Sequence, residues 1–410
     1  MSHYKCRFCD NELNHTFVDL GATPLANSYL KEEDLDKAEP FFSLHVRVCE
    51  KCFLVQLPEL EKPENIFSDY LYFSSYSQTW LDHAKNYCDK MTEKLDLSEN
   101  SLVVEIASND GYLLQYFKEK KIDVLGVEPA QNVAEVAIEK GVPTIVRFFG
   151  VETANELAKD GKRADLMAAN NVLAHVPDIN GFVAGFSILL KDEGVATFEF
   201  PHLLNLIEKN QFDTIYHEHF SYLSLSTVEK IFAAHGLAVF DVEQLPTHGG
   251  SLRVYAQHAK TGKRTVSENV VNLKSIEEKF GLSDIAKLTD YGEQVRQTKR
   301  ALLETLVELK NKGKKVVAYG AAAKGNTLLN YCGVRSDFID YVCDLNPNKQ
   351  NNFLPGTRIK IVSPERIAET KPDYVLILPW NLADEVIKQN EFIREWGGKF
   401  ILPIPSVKIL

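Results

Sequence analysis

Two short cysteine pairs, Cys6-Arg7-Phe8-Cys9 and Cys49-Glu50-Lys51-Cys52, carry the clearest chemistry in this chain. Each pair can present two thiolates to one ion. Two such knuckles complete a tetrahedral site with no position left for water or substrate, so the expected metal is one structural zinc. The remaining cysteines, Cys88, Cys332 and Cys343, are scattered. In a chain of this size, paired spacing points to metal before disulfide.

Val104-Glu105-Ile106-Ala107-Ser108-Asn109-Asp110-Gly111 reads as a strand running into a tight turn. Asn109, Asp110 and Gly111 tolerate the backbone that such a turn needs where a ligand comes close. Glu128 ends the next strand and can accept hydrogen bonds from both hydroxyls of a ribose. The phosphate-binding G-x-G-x-x-G is absent. S-adenosylmethionine (SAM) has a ribose and an adenine but no pyrophosphate, so this pattern favours SAM over a dinucleotide. A bare strand-turn-helix is the plainer reading of the same residues.

Tyr216-His217-Glu218-His219 follows the fifth strand and its Phe200-Pro201-His202. Ligands bind at the carboxyl ends of such strands. Tyr, Glu and His together can supply a general base and a stabiliser for developing oxyanion charge. A capped, solvated turn is the structural alternative, and the H-E-x-x-H metal spacing is missing. His175, after Asn170 and Asn171, should face the same crevice. Tyr319-Gly320-Ala321-Ala322-Ala323-Lys324-Gly325-Asn326 is a second strand-to-helix turn, where small residues let backbone amides approach an anion and Lys324 adds charge. Close helix-sheet packing would select the same small residues.

The elements that must position these groups alternate strictly. Strands are expected at 102–107, 123–128, 144–146, 164–169 and 194–200, with helical segments between them, after a first helix at about 78–95. Such alternation specifies a parallel sheet covered on both faces. Segments 237–245 and 251–258, joined through Gly249-Gly250, should pair antiparallel. A parallel sheet ending in an antiparallel hairpin is the arrangement of a class I SAM methyltransferase. A charged linker is expected at 260–280 and a long amphipathic helix at 284–311, with Gly313 as its stop. A second α/β unit then runs through strands near 315–320, 338–344, 374–378 and 400–402. The fold class is α/β: a Rossmann-like SAM domain, a second Rossmann-like domain and a small zinc module. The boundaries read from composition are 1–68, 69–260 and 261–410.

The chain has 410 residues and a net charge of -11. That charge argues against wrapping a nucleic-acid backbone. The N-terminus has no apolar stretch of a secretory signal and no run approaches a membrane span, so a cytoplasmic protein is expected.

In their order, these motifs resemble the nucleotide-sugar C-methyltransferases of deoxysugar pathways, which make branched 3-C-methyl sugars. The resemblance runs from the paired cysteines through Phe67-Ser68-Asp69-Tyr70-Leu71-Tyr72-Phe73-Ser74, the E-x-x-x-N-D-G turn, Tyr-x-Glu-His, His248-Gly249-Gly250-Ser251-Leu252-Arg253 and the Gly-Ala-Ala-Ala-Lys-Gly-Asn turn. It implies a zinc module, a SAM-binding middle domain and a C-terminal domain that holds a nucleoside-diphosphate 4-keto-6-deoxy sugar. It implies that His219 is the base, with Tyr216, Glu218, His175 and Tyr70 lining the site. It implies cofactor contacts at Glu105, Ala107, Asn109, Asp110, Gly111, Glu128, Asn170 and Asn171. Substrate contacts are implied at Tyr72, His202, His248 and Arg253, and at Gly320, Lys324, Asn326, Asp344, Asn346 and Trp380. Ala107 stands where the family usually has glycine, and alanine is small enough for binding to survive. O- or N-methylation of a small metabolite, or a non-catalytic SAM- or nucleotide-binding scaffold, are the competing readings. Zinc-guided nucleic-acid methylation is a third, disfavoured by the acidic charge.

Overall fold

The computed structural model describes residues 4–61 and 73–410. It resolves into two compact units, each assembled from three stretches of chain. Unit 1 takes Met1–Leu13, Cys49–His202 and Phe220–Ser283, and unit 2 takes Asn14–Val48, Leu203–His219 and Asp284–Leu410. Among the described residues no helix is long and apolar enough to cross a membrane.

The centre of unit 1 is a seven-stranded sheet. Its strands are β1 (Leu102–Ile106), β2 (Asp123–Val127), β3 (Thr144–Ile145), β4 (Ala164–Asn170), β5 (Leu190–Pro201), β6 (Leu237–Leu245) and β7 (Ser251–His258). Their order is β3-β2-β1-β4-β5-β7-β6. β1 to β5 run parallel, and β7 enters antiparallel between β5 and β6. Val103 and Val104 are both buried, as expected for a parallel strand covered on two faces. The order reverses between β1 and β4, so their carboxyl ends open a crevice of the kind that takes ligands. On one face Phe186, Phe198 and Phe232 pack ring to ring, with centroids 4.5 Å apart in each successive pair. Helix α1 (Gln78–Lys94) covers the other face through Ala84, Tyr87, Cys88 and Met91.

The expected charged linker at 260–280 is instead partly a helix, α4 (Glu268–Phe280), following α2 (Ile179–Leu189) and α3 (Leu225–Ala234). Val270, Leu273 and Glu277 form its buried stripe. Glu277 is the reason charge misleads here: its carboxylate is fully buried. It accepts from the amides of Leu225 (2.6 Å) and Ser226 (2.9 Å) at the start of α3, and lies 2.8 Å from His202 Nε2. Burial alone would raise this carboxyl, but His202 and Ser226 more than offset it and hold it below the usual range. The stabilisation is therefore present above about pH 4.3, the unfolded value, and is lost as pH falls through the folded one. Glu277→Gln is expected to cost unit 1 about 1.5–3 kcal/mol at neutral pH, the worth of charged hydrogen bonds, and to shrink the stability difference between pH 7 and pH 4. Denaturant midpoints at the two pH values test this, and identical midpoints for both proteins would refute it.

Unit 2 carries a six-stranded sheet of β8 (Val316–Tyr319), β9 (Val342–Cys343), β10 (Ile361–Val362), β11 (Tyr374–Ile377), β12 (Lys399–Leu402) and β13 (Lys408–Ile409). The order is β10-β9-β8-β11-β12-β13, parallel except for β13. The long helix expected at 284–311 is two helices, Ile285–Thr289 and α5 (Tyr291–Asn311), meeting at Asp290. The stripe Tyr291, Val295, Thr298, Leu302, Leu306 and Leu309 is buried. An antiparallel ribbon of His15–Thr23 and Phe42–Val48, which composition did not reveal, belongs to this unit.

Candidate active site

In unit 1 the four cysteine sulfurs converge within 4.8 Å of one another, and Cys6–Cys52 and Cys9–Cys49 each stand 3.5 Å apart. A tetrahedral ion at 2.3 Å from each sulfur would space them by about 3.8 Å, so the set fits zinc. The two knuckles repeat one turn. Asp10 N donates to Cys6 O and Phe53 N to Cys49 O, both at 2.9 Å, with Asp10 and Phe53 in the left-handed region. Gln56 Nε2 donates to Cys6 Sγ at 3.2 Å, the kind of outer contact that orients a ligand. The knuckles sit on helices that cover the seven-stranded sheet. Asn180 of α2 donates to the carbonyls of Arg7 (3.0 Å) and Phe8 (3.1 Å), and Thr227 and Lys230 of α3 donate to Cys52 O.

The crevice at the carboxyl ends of β1, β2 and β4 holds the expected cofactor residues together. Ala107 has φ 55°, so the position where the family resemblance expects glycine does adopt a glycine-favouring backbone, at a cost of about 1–2 kcal/mol. Asn109 is also left-handed. Its amide donates to Glu128 Oε2 at 2.9 Å and its side chain accepts from Ser74 N at 2.9 Å. At Gly111 a Cβ would come within 3.1 Å of Val142. Asp110 is held by Lys140 and the Ser75 amide. Glu128 also accepts from Ala130 N (2.9 Å); burial raises its carboxyl, with the two amides opposing.

Buried polar atoms without hydrogen-bond partners ring this crevice: both carboxylate oxygens of Glu105, Ser108 Oγ, Asp110 Oδ1, Asn170 Oδ1 and Asn171 Oδ1. Unmade buried hydrogen bonds are costly, and a ligand with an ammonium group and a ribose satisfies such a set. Burial pushes the Glu105 carboxyl well above the usual range, against an opposing pull from the Tyr112 phenol. The residues therefore fit SAM, as the four sulfurs fit one structural zinc. Glu128→Ala is expected to weaken SAM binding by about 10–100-fold, the worth of one or two charge-assisted hydrogen bonds. Calorimetric titration reads it, and an unchanged Kd would remove Glu128 from the cofactor set.

His175 ends a short helical turn, Leu173–His175, beyond β4. His202 is buried against Glu277. Arg253 donates to Glu199 Oε2 at 2.7 Å and lies 4.6 Å over the Tyr87 ring. His248 sits at φ 54° in the β6–β7 turn, edge-on to Trp80 at 5.4 Å. Sequence reasoning missed Glu199 and His83, whose Nε2 is 2.9 Å from Glu199 Oε2. The available signal was a carboxylate inside the otherwise buried strand Phe198-Glu199-Phe200.

Unit 2 holds the Tyr216–His219 segment. His219 Nδ1 is 2.7 Å from Thr214 O, and the Tyr216 and His219 rings are 4.0 Å apart. A carbonyl accepts only, so Nδ1 carries the proton and the basic lone pair is on Nε2. Glu218 Oε1 accepts from Asn27 Nδ2 at 2.6 Å, and burial pushes its carboxyl to about 7. His217 Nε2 is 3.3 Å from Ser43 O. Thr327 Oγ1 donates to Ile215 O at 3.0 Å, fastening this segment to helix α6 (Ala323–Cys332).

The second turn is also built as a close approach. Gly320 has φ 90°, and a Cβ there would lie 2.5 Å from Pro379. Lys324 bonds to Asn381 and lies 4.6 Å over the Trp380 ring, and Trp380 Nε1 donates to Asp213 Oδ2 at 2.7 Å. Burial pushes Asp213 to about 7 against the charge of Lys324. Asn326 donates to Ala26 O at 2.6 Å. Asp344 accepts from the amides of Ala321 (2.7 Å) and Asn346 (2.8 Å), so its carboxylate is engaged by its own turns. Tyr70 and Tyr72 lie outside the described residues.

Three family models match in order: a zinc binding domain at residues 6–67, a methyltransferase domain at 80–242 and a C-methyltransferase C-terminal domain at 246–405. The C-methyltransferase NovU of Streptomyces niveus is 37% identical over 406 residues, 99% of this chain and 96% of its own. A ubiquinone biosynthesis O-methyltransferase of Bartonella quintana is 30% identical over 98 residues, 24% of this chain and 40% of its own. Among solved structures, a 1,6-didemethyltoxoflavin-N1-methyltransferase of Burkholderia thailandensis overlaps 50% of this chain and 95% of its own, at 18% identity and a TM-score of 0.37.

Proposed function

The chain belongs to the family of SAM-dependent C-methyltransferases that carry a zinc-binding domain, and from that premise we propose that it methylates C3 of a nucleotide-linked 4-keto-6-deoxy sugar. The observation that carries the reading is the His219 tautomer, which puts the proton on Nδ1 and the lone pair on Nε2, with the Tyr216 ring tilted beside it at 4.0 Å. Carbon methylation needs a carbanion. A C–H beside a ketone is the accessible source, because the electron pair delocalises onto the carbonyl oxygen. His219 Nε2 takes the C3 proton. Tyr216 and Glu218 stabilise the enolate oxygen in this reading, a role that the family resemblance also gives to His175 and Tyr70. SAM, held by the crevice residues of unit 1, would supply an electrophilic sulfonium methyl for C3, with a neutral thioether as the leaving group. The imidazolium then returns its proton to water.

Glu105, Ala107, Asn109, Asp110, Gly111, Glu128, Asn170 and Asn171 hold the cofactor in this reading. The second turn, with Gly320, Lys324, Asn326 and Trp380, receives the nucleoside diphosphate together with Asp344 and Asn346. Tyr72, His202, His248 and Arg253 complete the substrate set. The division 1–68 for zinc, 69–260 for SAM and 261–410 for the sugar nucleotide is one of ligand. Segments of all three divisions enter both compact units.

The test incubates the protein with SAM and a panel of dTDP-, CDP- and GDP-linked 4-keto-6-deoxy sugars in deuterated water. One methyl gained on carbon, with exchange at C3 in the absence of SAM, is the expected result. Methylation on oxygen or nitrogen, or none across the panel with SAM bound, would overturn it.

A further inference from the structure

Arg7 lies between the zinc knuckle and the loop that follows β4. Its amide donates to Gln56 Oε1 at 2.9 Å, and Gln56 in turn donates to Cys6 Sγ. Its guanidinium donates to Pro177 O at 3.0 Å and to Leu57 O, and lies 5.4 Å over the Phe220 ring. Phe220 N donates to Ala174 O at 2.8 Å, and Leu57 N to Phe220 O at 3.0 Å. The stretch Asn170–Pro177 is therefore gripped twice from the knuckle side, at Ala174 and at Pro177. This stretch carries Asn170, Asn171 and His175. Asn171 is itself in the left-handed region, with its amide on Glu199 O at 2.7 Å. A backbone strained there needs its surroundings to hold it.

The chemistry of Arg7 suits this place. A planar fork can satisfy two carbonyls at fixed angles, which an ammonium cannot. Two carbonyls give it hydrogen bonds, and the negative charge near it comes from Cys6 first and then from Glu59. A zinc ion with four thiolates has net negative charge, and Arg7 adjoins the first of those thiolates.

We infer that Arg7 is a positioning residue through which the zinc centre supports the cofactor loop Asn170–His175, so that metal and SAM binding are coupled within unit 1. The inference rests on the reading of Asn170 and Asn171 as cofactor contacts, and the experiment separates the two. Arg7→Met, Arg7→Lys and Asn171→Ala proteins are each measured for zinc per chain, for SAM Kd by calorimetry, and for kcat and KM(SAM) on the methyl acceptor. Coupling predicts that Arg7→Met and Arg7→Lys keep one zinc yet bind SAM about tenfold more weakly, about 1.4 kcal/mol. KM(SAM) rises in parallel while kcat changes less. Ethylguanidinium added to Arg7→Met should restore part of the affinity, which a merely structural defect would not allow. Unchanged SAM affinity in both Arg7 variants, with Asn171→Ala weakened, overturns the coupling and leaves the loop reading intact. Unchanged affinity in Asn171→Ala removes the loop reading and the inference with it. Loss of zinc from both Arg7 variants also overturns it, since Arg7 would then serve the metal alone.

Discussion

His219→Ala is expected to lower kcat for methyl transfer by about 10²–10⁴-fold, the usual worth of a positioned general base, while SAM binds as before. The expectation rests on two contacts within unit 2: Nδ1 against Thr214 O at 2.7 Å and the Tyr216 ring at 4.0 Å. The first fixes the tautomer, with the proton on Nδ1, and the second packs the Tyr216 ring beside the imidazole at a tilt of 36°, the two contacts on which the proposed role of Nε2 rests. C3 proton exchange into deuterated water, measured without SAM, should vanish in the same variant. That pairing distinguishes loss of the base from a general defect. A variant that turns over within a few-fold of the parent would remove carbanion chemistry from His219 and shift the reaction towards oxygen or nitrogen, where less activation is needed.

Losing the zinc should have the largest effect on stability. Zinc binding at four cysteines is worth about 10–16 kcal/mol in small zinc domains, against about 5–15 kcal/mol for the net stability of a whole domain. In this chain the metal is not confined to an appendage. Its knuckles and the SAM sheet share unit 1, and the carbonyls of Arg7, Phe8 and Cys52 are the acceptors for Asn180, Thr227 and Lys230. Releasing the knuckles leaves those donors facing an unfolded segment. Cys49→Ser is expected to bind less than one zinc per chain and to lower the melting temperature by about 10 °C or more, taking 2–4 °C per kcal/mol for a unit of this size. Metal analysis beside a thermal melt decides it. A zinc-free variant that melts with the parent would show the metal to be dispensable to the fold.

The parts of this architecture that were legible in the sequence were those whose causes are local. The β6–β7 hairpin was expected at 237–245 and 251–258, and those are its bounds, because alternation and a Gly-Gly turn act over a few residues. The cofactor turn was legible for the same reason, and Ala107 shows that backbone conformation there is dictated by the ends of β1 and β2 rather than by the residue's own preference. What escaped was set at long range. Glu277 reads as a solvent-facing charge until His202 and the α3 amides are placed around it. Glu199 and His83 are brought together from positions 116 apart, and no spacing rule links them. Of the site residues, the four cysteines were fixed by spacing, whereas Asp344 was expected from its strand-end position and is held by two backbone amides.

The interleaving of the two units has a consequence for synthesis. A chain emerging from the ribosome delivers both cysteine pairs before any strand of the SAM sheet, and the first unit lacks Phe220–Ser283, and with it β6, β7 and α3, until after Leu203–His219 of the other unit has been made. Asn14–Val48 must wait longer, because the sheet of its unit is encoded entirely beyond Asp284. Unit 1 therefore cannot finish folding before segments of unit 2 have been made, and the nascent protein carries the His15–Thr23 and Phe42–Val48 ribbon without the sheet of its own unit until the residues beyond Asp284 follow.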